Sequence, residues 1–182
     1  MSSASVHPIE RVVLLGFMCS GKSSVGTSLA RRLEWGFLDF DVEIETRERR
    51  PVAAIIDANG EGYFRDLETV LTREASQRTS LVLAPGGGWI TRPEHLEILG
   101  SGTLSVWLDV SPVEAVRRLK DDSIARPLKE YDDAVGVVEA MLADRTPLYA
   151  LADLRIPSDG RSVEEIAFEL EQVVRANGGR SP

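Results

Sequence analysis

The sequence predicts an α/β domain built on a mostly parallel, five-stranded sheet with helices on both faces. Two observations carry that prediction. Five short apolar runs, Val12–Leu15, Phe37–Asp41, Ser80–Ala84, Thr103–Asp109 and Leu154–Ile156, alternate with segments of helical period. Strands joined by right-handed helical crossovers give this pattern. The first run also enters a glycine-bounded loop that opens a helix, the strand–loop–helix order of a phosphate-binding loop. No internal repeat or linker divides the 182 residues, so one domain is expected.

The loop is Gly16-Phe17-Met18-Cys19-Ser20-Gly21-Lys22-Ser23, which reads G-x-x-x-x-G-K-S. Its glycines let backbone N–H groups converge on the β- and γ-phosphates of a nucleotide, at the positive end of the next helix. Lys22 reaches the same phosphates, and the Ser23 hydroxyl is placed to ligate Mg2+. ATP is therefore expected on Cys19, Ser20, Gly21, Lys22, Ser23 and Ser24. Val25, Leu29 and Leu33, spaced four apart, give the helix one buried face.

Composition narrows the classes. At 43% hydrophobic and 27% charged the chain is ordinary globular protein, and a net charge of −8 argues against a nucleic-acid or membrane footprint. An acidic protein that binds an anion must concentrate its cations, so the arginines should locate the site. Cys19 is the only cysteine, which excludes an internal disulfide and suits a reducing compartment. No apolar run approaches membrane-spanning length, and the first ten residues lack a signal-peptide core. A cytoplasmic monomer is expected.

Along the chain, residues 1–9 and 177–182 read as tails. In Phe37-Leu38-Asp39-Phe40-Asp41, period-two geometry puts Asp39 and Asp41 on one side of an extended segment, at the end where open α/β sheets bind ligands. The competing reading makes Asp41 a cap for the helix that follows. Pro51 to Asn59 reads as a short helix broken at Asn59-Gly60, after which Glu61 opens a longer one to Gln77. Arg65, embedded there among aromatic and apolar residues, calls for an anionic partner: Glu68, Asp66 or a ligand. Residues 42–75 are taken as the acceptor-binding region.

Gly86-Gly87-Gly88, after the Ser80–Ala84 strand, suit a place where backbone is approached closely by a ligand. His95 has no second His or Cys nearby for a metal site. Ser111-Pro112-Val113-Glu114 is a capping box for a helix carrying Arg117 and Arg118. Over 121–133 polarity rises and periodicity lapses around Arg126-Pro127, which marks a lid. A helix from Ala134 to Asp144 leads to Arg145-Thr146-Pro147-Leu148-Tyr149, and a last helix covers Ser162 to Val174.

Phosphoryl transfer asks a protein for positioning, Mg2+ and cations where charge develops. Asp39 offers a carboxylate to Mg2+, directly or through water, and Arg126 would close over the transferring phosphate. Asp41, Arg65, Gly87 and Arg145 remain for an acceptor. Two guanidinium forks suit a carboxylate and an aspartate suits hydroxyls, so the acceptor implied is a small polyhydroxylated acid.

Six segments in order carry a resemblance to the shikimate kinase family: the phosphate-binding loop, Asp39-Phe40-Asp41, Gly60-Glu61-Gly62-Tyr63-Phe64-Arg65, Gly86-Gly87-Gly88, Arg126-Pro127-Leu128 and Arg145-Thr146-Pro147-Leu148-Tyr149. The resemblance implies a P-loop NTPase fold of nucleoside-monophosphate-kinase-like type, with sheet order 2-3-1-4-5 and a lid. It implies transfer of the γ-phosphoryl of MgATP to the 3-hydroxyl of shikimate, on the way to chorismate and the aromatic amino acids. It makes Lys22, Asp41 and Arg126 catalytic, with Asp41 on the ring hydroxyls as the base or its orienter. Arg65, Arg145 and the Gly86–Gly88 loop would hold the acceptor carboxylate, Arg118 and Arg161 the adenine side, and Ser23 and Asp39 the metal.

Three departures stand out. Ser24 replaces the family's threonine, Lys129 its leucine, and Trp89 a smaller residue, which puts a bulky ring against the expected acceptor pocket. Val106-Trp107-Leu108-Asp109 imitates a Walker B strand and would move the metal ligand to Asp109; the Ser111-Pro112 cap beside it favours Asp39. Asp57-Ala58-Asn59-Gly60 imitates a nucleotide switch, but the N-K-x-D guanine reader is missing. Another small-molecule kinase, acting on gluconate for example, has no need of Arg65, the triple glycine and Arg145 together.

Overall fold

A computed structural model describes residues 8–121 and 133–179 of the chain. The sheet holds β1 (Arg11–Leu15), β2 (Gly36–Asp39), β3 (Leu81–Ala84), β4 (Thr103–Asp109) and β5 (Leu154–Pro157). All its pairings are parallel and the order is 2-3-1-4-5. That is the fold the sequence predicted. β1 is central and buried at every residue, which its unbroken apolar run allows.

Alternation along β1 divides the core. Val12 and Leu14 face α1 (Lys22–Leu33) and α7 (Val163–Ala176), through Val25, Leu29, Ile166 and Leu170. Val13 and Leu15 face the opposite layer, where α2 (Phe40–Glu48), α3 (Val52–Ser76) and α4 (Glu94–Leu99) contribute Phe40, Phe64, Leu71 and Leu99. A smaller cluster joins Phe17 to α5 (Pro112–Asp121) and α6 (Ala134–Tyr149). Among the described residues no helix is long and apolar enough to cross a membrane.

Two local differences from the sequence expectation, and one agreement with it, bear on the site. The extended segment stops at Asp39, so Asp41 lies in the first turn of α2. Asp39 itself is the cap: its Oδ1 accepts from the Asp41 (3.1 Å) and Val42 (3.3 Å) amides. The two helices expected over 51–77 are present, contiguous in α3 and parted by a kink at Gly60, whose φ of 84° is positive, as the sequence predicted. And α6 does not end at Asp144 but continues through Pro147 to Tyr149. A proline near a helix end forfeits only one backbone bond, and Ala150 N donating to Thr146 O (3.0 Å) carries the turn onward.

Candidate active site

The loops leaving β1, β2 and β3 meet at the carboxyl edge of the sheet, around a cleft of about 920 Å3. Its lining runs from Met18 to Val25 and includes Asp39, Asp41, Gly86, Gly87, Arg118 and Arg161.

The phosphate loop is shaped by backbone. Gly16 has φ +143°, and a Cβ there would stand 2.5 Å from Leu108 O. Cys19 (φ 61°) and Gly21 (φ 97°) are also left-handed, which turns the chain into α1. No side chain caps α1, so its first amides point into the cleft. Lys22 Nζ donates to the carbonyls of Gly16 (2.8 Å) and Phe17 (3.0 Å). Ser23 Oγ donates to Asp39 Oδ2 at 2.5 Å. One oxygen of Asp39 thus caps α2 while the other meets Ser23. Asp109, the competing metal ligand, instead receives Arg155 Nη2 (2.6 Å) and Nε (3.0 Å) and is not part of the lining.

Cations gather on the far side of this loop too. Arg118 Nη1 donates to Cys19 O (3.2 Å) and Nη2 to Ser158 O (2.8 Å). Its Nε is shared with Glu114 (2.7 Å), whose carboxyl Arg117 and Arg118 hold down at a pKa of about 2. Arg161 pairs with Glu169 (2.6 Å). Arg126 lies outside the described residues.

The acceptor side is built from side chains. Arg65 Nη1 donates to Glu68 Oε2 (2.6 Å) and Nη2 to Glu61 Oε1 (2.7 Å); Asp66 pairs with Arg92 instead. The triple glycine explains itself here by space, since none of its three φ values is positive. A Cβ on Gly86 would lie 3.1 Å from both Asp41 Oδ1 and Glu68 Oε1, one on Gly87 3.3 Å from Gly16 O, and one on Gly88 2.1 Å from Arg65 Nη2. Arg145 stands 5.8 Å over the Phe17 ring, and the Tyr149 hydroxyl, one turn on, donates to Gly87 O at 2.6 Å. Burial raises the pKa of the Tyr149 hydroxyl, and the charges of Arg145 and Arg65 oppose that rise. So Arg65 lies against Gly88, while Arg145 stands over Phe17 of the phosphate loop, on a different helix.

Burial strains this cluster electrically. Asp41 Oδ1 and Glu68 Oε1 are buried and lack a hydrogen-bond partner among the described residues. Desolvation raises the pKa of both; Glu68 reaches about 7 despite Arg65, and Asp39 adds to the rise at Asp41 while Lys22 opposes it. Of the two, Asp41 lines the cleft, and an unpartnered buried oxygen there suits a ligand that brings hydroxyl donors.

Trp89 does not reach the acceptor pocket, contrary to the expectation. It is fully buried in the α3–α4 layer, where Nε1 donates to Thr72 Oγ1 (2.9 Å) and the ring lies 4.8 Å from His95. The 3-10 turn at Trp89–Thr91 turns it inward. His95 bonds Thr69 Oγ1 (2.8 Å) and Trp89 O (3.1 Å), a structural post. Two participants escaped the sequence reading. In the sequence Glu68 is no more than one partner option for Arg65. Tyr149 shares a helix face with Arg145 at i, i+4, a spacing that Pro147 disguised.

Sheet order, phosphate loop and an acceptor pocket of buried acids and arginines together define a P-loop kinase of nucleoside-monophosphate-kinase-like architecture. A family model described as shikimate kinase matches residues 18–175. The chain is 39% identical over 163 residues to a shikimate kinase of Synechococcus sp. (strain CC9902), covering 90% of this chain and 85% of that one. It is 40% identical over 161 residues to that of Synechococcus sp. (strain CC9605), covering 88% and 80%. Among solved structures, the shikimate kinase from Acinetobacter baumannii in complex with shikimate aligns with a TM-score of 0.83 at 32% identity, over 97% of this chain and 98% of that one. The chain belongs to the shikimate kinase family, and is an ATP-dependent phosphotransferase acting on an alcohol.

Proposed function

We propose that this enzyme transfers the γ-phosphoryl group of ATP to the 3-hydroxyl of shikimate, giving shikimate 3-phosphate and ADP. The observation that carries the reading is the placing of Asp41 against Gly86, Arg65 against Gly88 and Arg145 over Phe17 of the phosphate loop. Arg65 and Arg145 would grip the acceptor carboxylate with the Gly87 amide, which leaves the ring hydroxyls toward Asp41. The 3-oxygen attacks the γ-phosphorus as the bond to the β-phosphate oxygen breaks, and Asp41 takes or directs the departing proton. Its raised pKa makes the carboxylate a better base than an exposed aspartate.

Lys22 would exchange its two loop carbonyls for phosphate oxygens. Arg118 and Arg161 are assigned to the adenine side, and Arg126 to closure over the phosphates. Ser23 Oγ and Asp39 Oδ2 are an all-oxygen pair that fits Mg2+, an ion that fills its remaining positions with water and phosphate oxygens. When bound, that ion supplies charge neutralisation at the β- and γ-phosphates. A cytoplasmic monomer completes the proposal.

The test is ADP release with MgATP and shikimate, quinate or gluconate. Release that depends on shikimate is expected. Equal release with gluconate, or none with shikimate, would overturn the reading.

A further inference from the structure

Arg65 is held by two glutamates that differ in kind. Glu68 is fully buried, sits three residues on in the same helix, and binds Nη1. Glu61 is two-thirds exposed (66%) and binds Nη2, while the arginine side chain itself is only 12% exposed. Nη2 is also the nitrogen that lies against Gly88, in the loop whose backbone faces the acceptor. Glu61 follows directly on Gly60, where α3 breaks, so its backbone belongs to the loosest turn of that helix.

One guanidinium thus has a permanent anchor and an exchangeable one. A buried ion pair is hard to break, whereas a pair with one exposed partner is worth little and competes readily with another carboxylate. We propose that Glu61 is a placeholder for the acceptor carboxylate: it occupies Arg65 Nη2 while the pocket is empty and must be displaced when the acceptor binds. The inference rests on the shikimate reading above. A site blocked by its own side chain binds more weakly by the fraction of time it is blocked, so Glu61 sets acceptor affinity. The same contact keeps the cation paired and its fork oriented in the empty enzyme.

The alternative is a pair that serves only the helix. An acid in a first turn, four residues before an arginine, stabilises a helix by itself. The two roles separate by measurement. Calorimetric titration of shikimate into the wild type, Glu61→Gln and Glu61→Ala should show Kd falling about two- to fivefold in both variants. A neutral analogue with hydroxymethyl in place of the carboxylate has no claim on Nη2, so its Kd should be the same in all three proteins. In turnover the change should appear in acceptor KM more than in kcat.

A helix-only role would lower the melting temperature and leave these ratios unmoved. If the wild type binds and phosphorylates shikimate but the variants bind it no more tightly, the placeholder falls and the functional reading stands. If the wild type neither binds nor phosphorylates shikimate, both fall.

Discussion

The two halves of the cleft are made by opposite means. On the nucleotide side the binding groups are amides of one contiguous loop, and the main cation, Lys22, has carbonyl partners in hand. On the acceptor side the groups are charged side chains from α2, α3 and α6, with two carboxylate oxygens buried and unpartnered. Backbone held by the fold is available at no added desolvation, so the first half can recognise what every phosphorylated nucleotide shares. Buried charges are costly when left alone, so under the proposed function the second half is the one that would discriminate. Generic binding and selective binding sit a few residues apart, divided by Gly87.

Substitutions can break that division from either side. Asp41→Asn should produce the largest effect, a fall in kcat of about a hundred- to ten-thousand-fold with ATP affinity little changed, measured by coupled ADP assay and nucleotide titration. Near-normal turnover would remove Asp41 from the chemistry. Arg145→Lys keeps the charge but loses the fork, so acceptor KM should rise roughly tenfold or more while ATP KM holds. The reverse pattern would place Arg145 on the nucleotide side.

Gly88→Ala puts a methyl group where Arg65 Nη2 rests and should raise acceptor KM roughly tenfold, again sparing ATP. Glu68 sharpens the comparison through pH. Its folded pKa of about 7 stands above the ordinary 4.5, so between these values the folded chain holds a proton the unfolded chain has released. Stability should therefore be fully present below about pH 4.5 and fall as pH rises toward 7, by about 1 kcal/mol per unit. Denaturant titrations should show that fall in the wild type and not in Glu68→Gln. Smallest is Trp89→Phe, which deletes the bond to Thr72 and should lower stability by about 1 kcal/mol. Its acceptor KM should stay within about twofold, because the ring points away from the cleft.

The same division decides what the sequence reveals. The nucleotide half is one segment with fixed spacing, so Gly16 to Ser23 could be read directly. β1, β3 and β4 were legible as continuous apolar runs because a parallel sheet is buried on both faces. The acceptor half is distributed over four segments, and only the crossovers of the sheet assemble it; the residue types were recognisable through a family resemblance, their contacts were not. Asp39 and Asp41 were placed by strand period, but an aspartate at a helix start turns the chain, and capping won over alternation. Trp89 was judged by size, and its direction came from a 3-10 turn no pattern announced. The glycine triplet reads in the sequence as room for a ligand; the structure adds that it also makes room for Arg65, Asp41, Glu68 and the phosphate loop.

The aromatic stack behind Gly87 gives the enzyme an optical reporter of its own. Trp107 lies 5.9 Å from the Tyr149 ring, nearly face to face, with the Arg155 guanidinium 4.7 Å from its centre. Because the Tyr149 hydroxyl is bonded to the carbonyl of Gly87, the proposed acceptor position predicts that binding should change the surroundings of an indole one ring away. Emission of the unlabelled protein can then follow acceptor arrival in a stopped-flow cell, separately from the nucleotide.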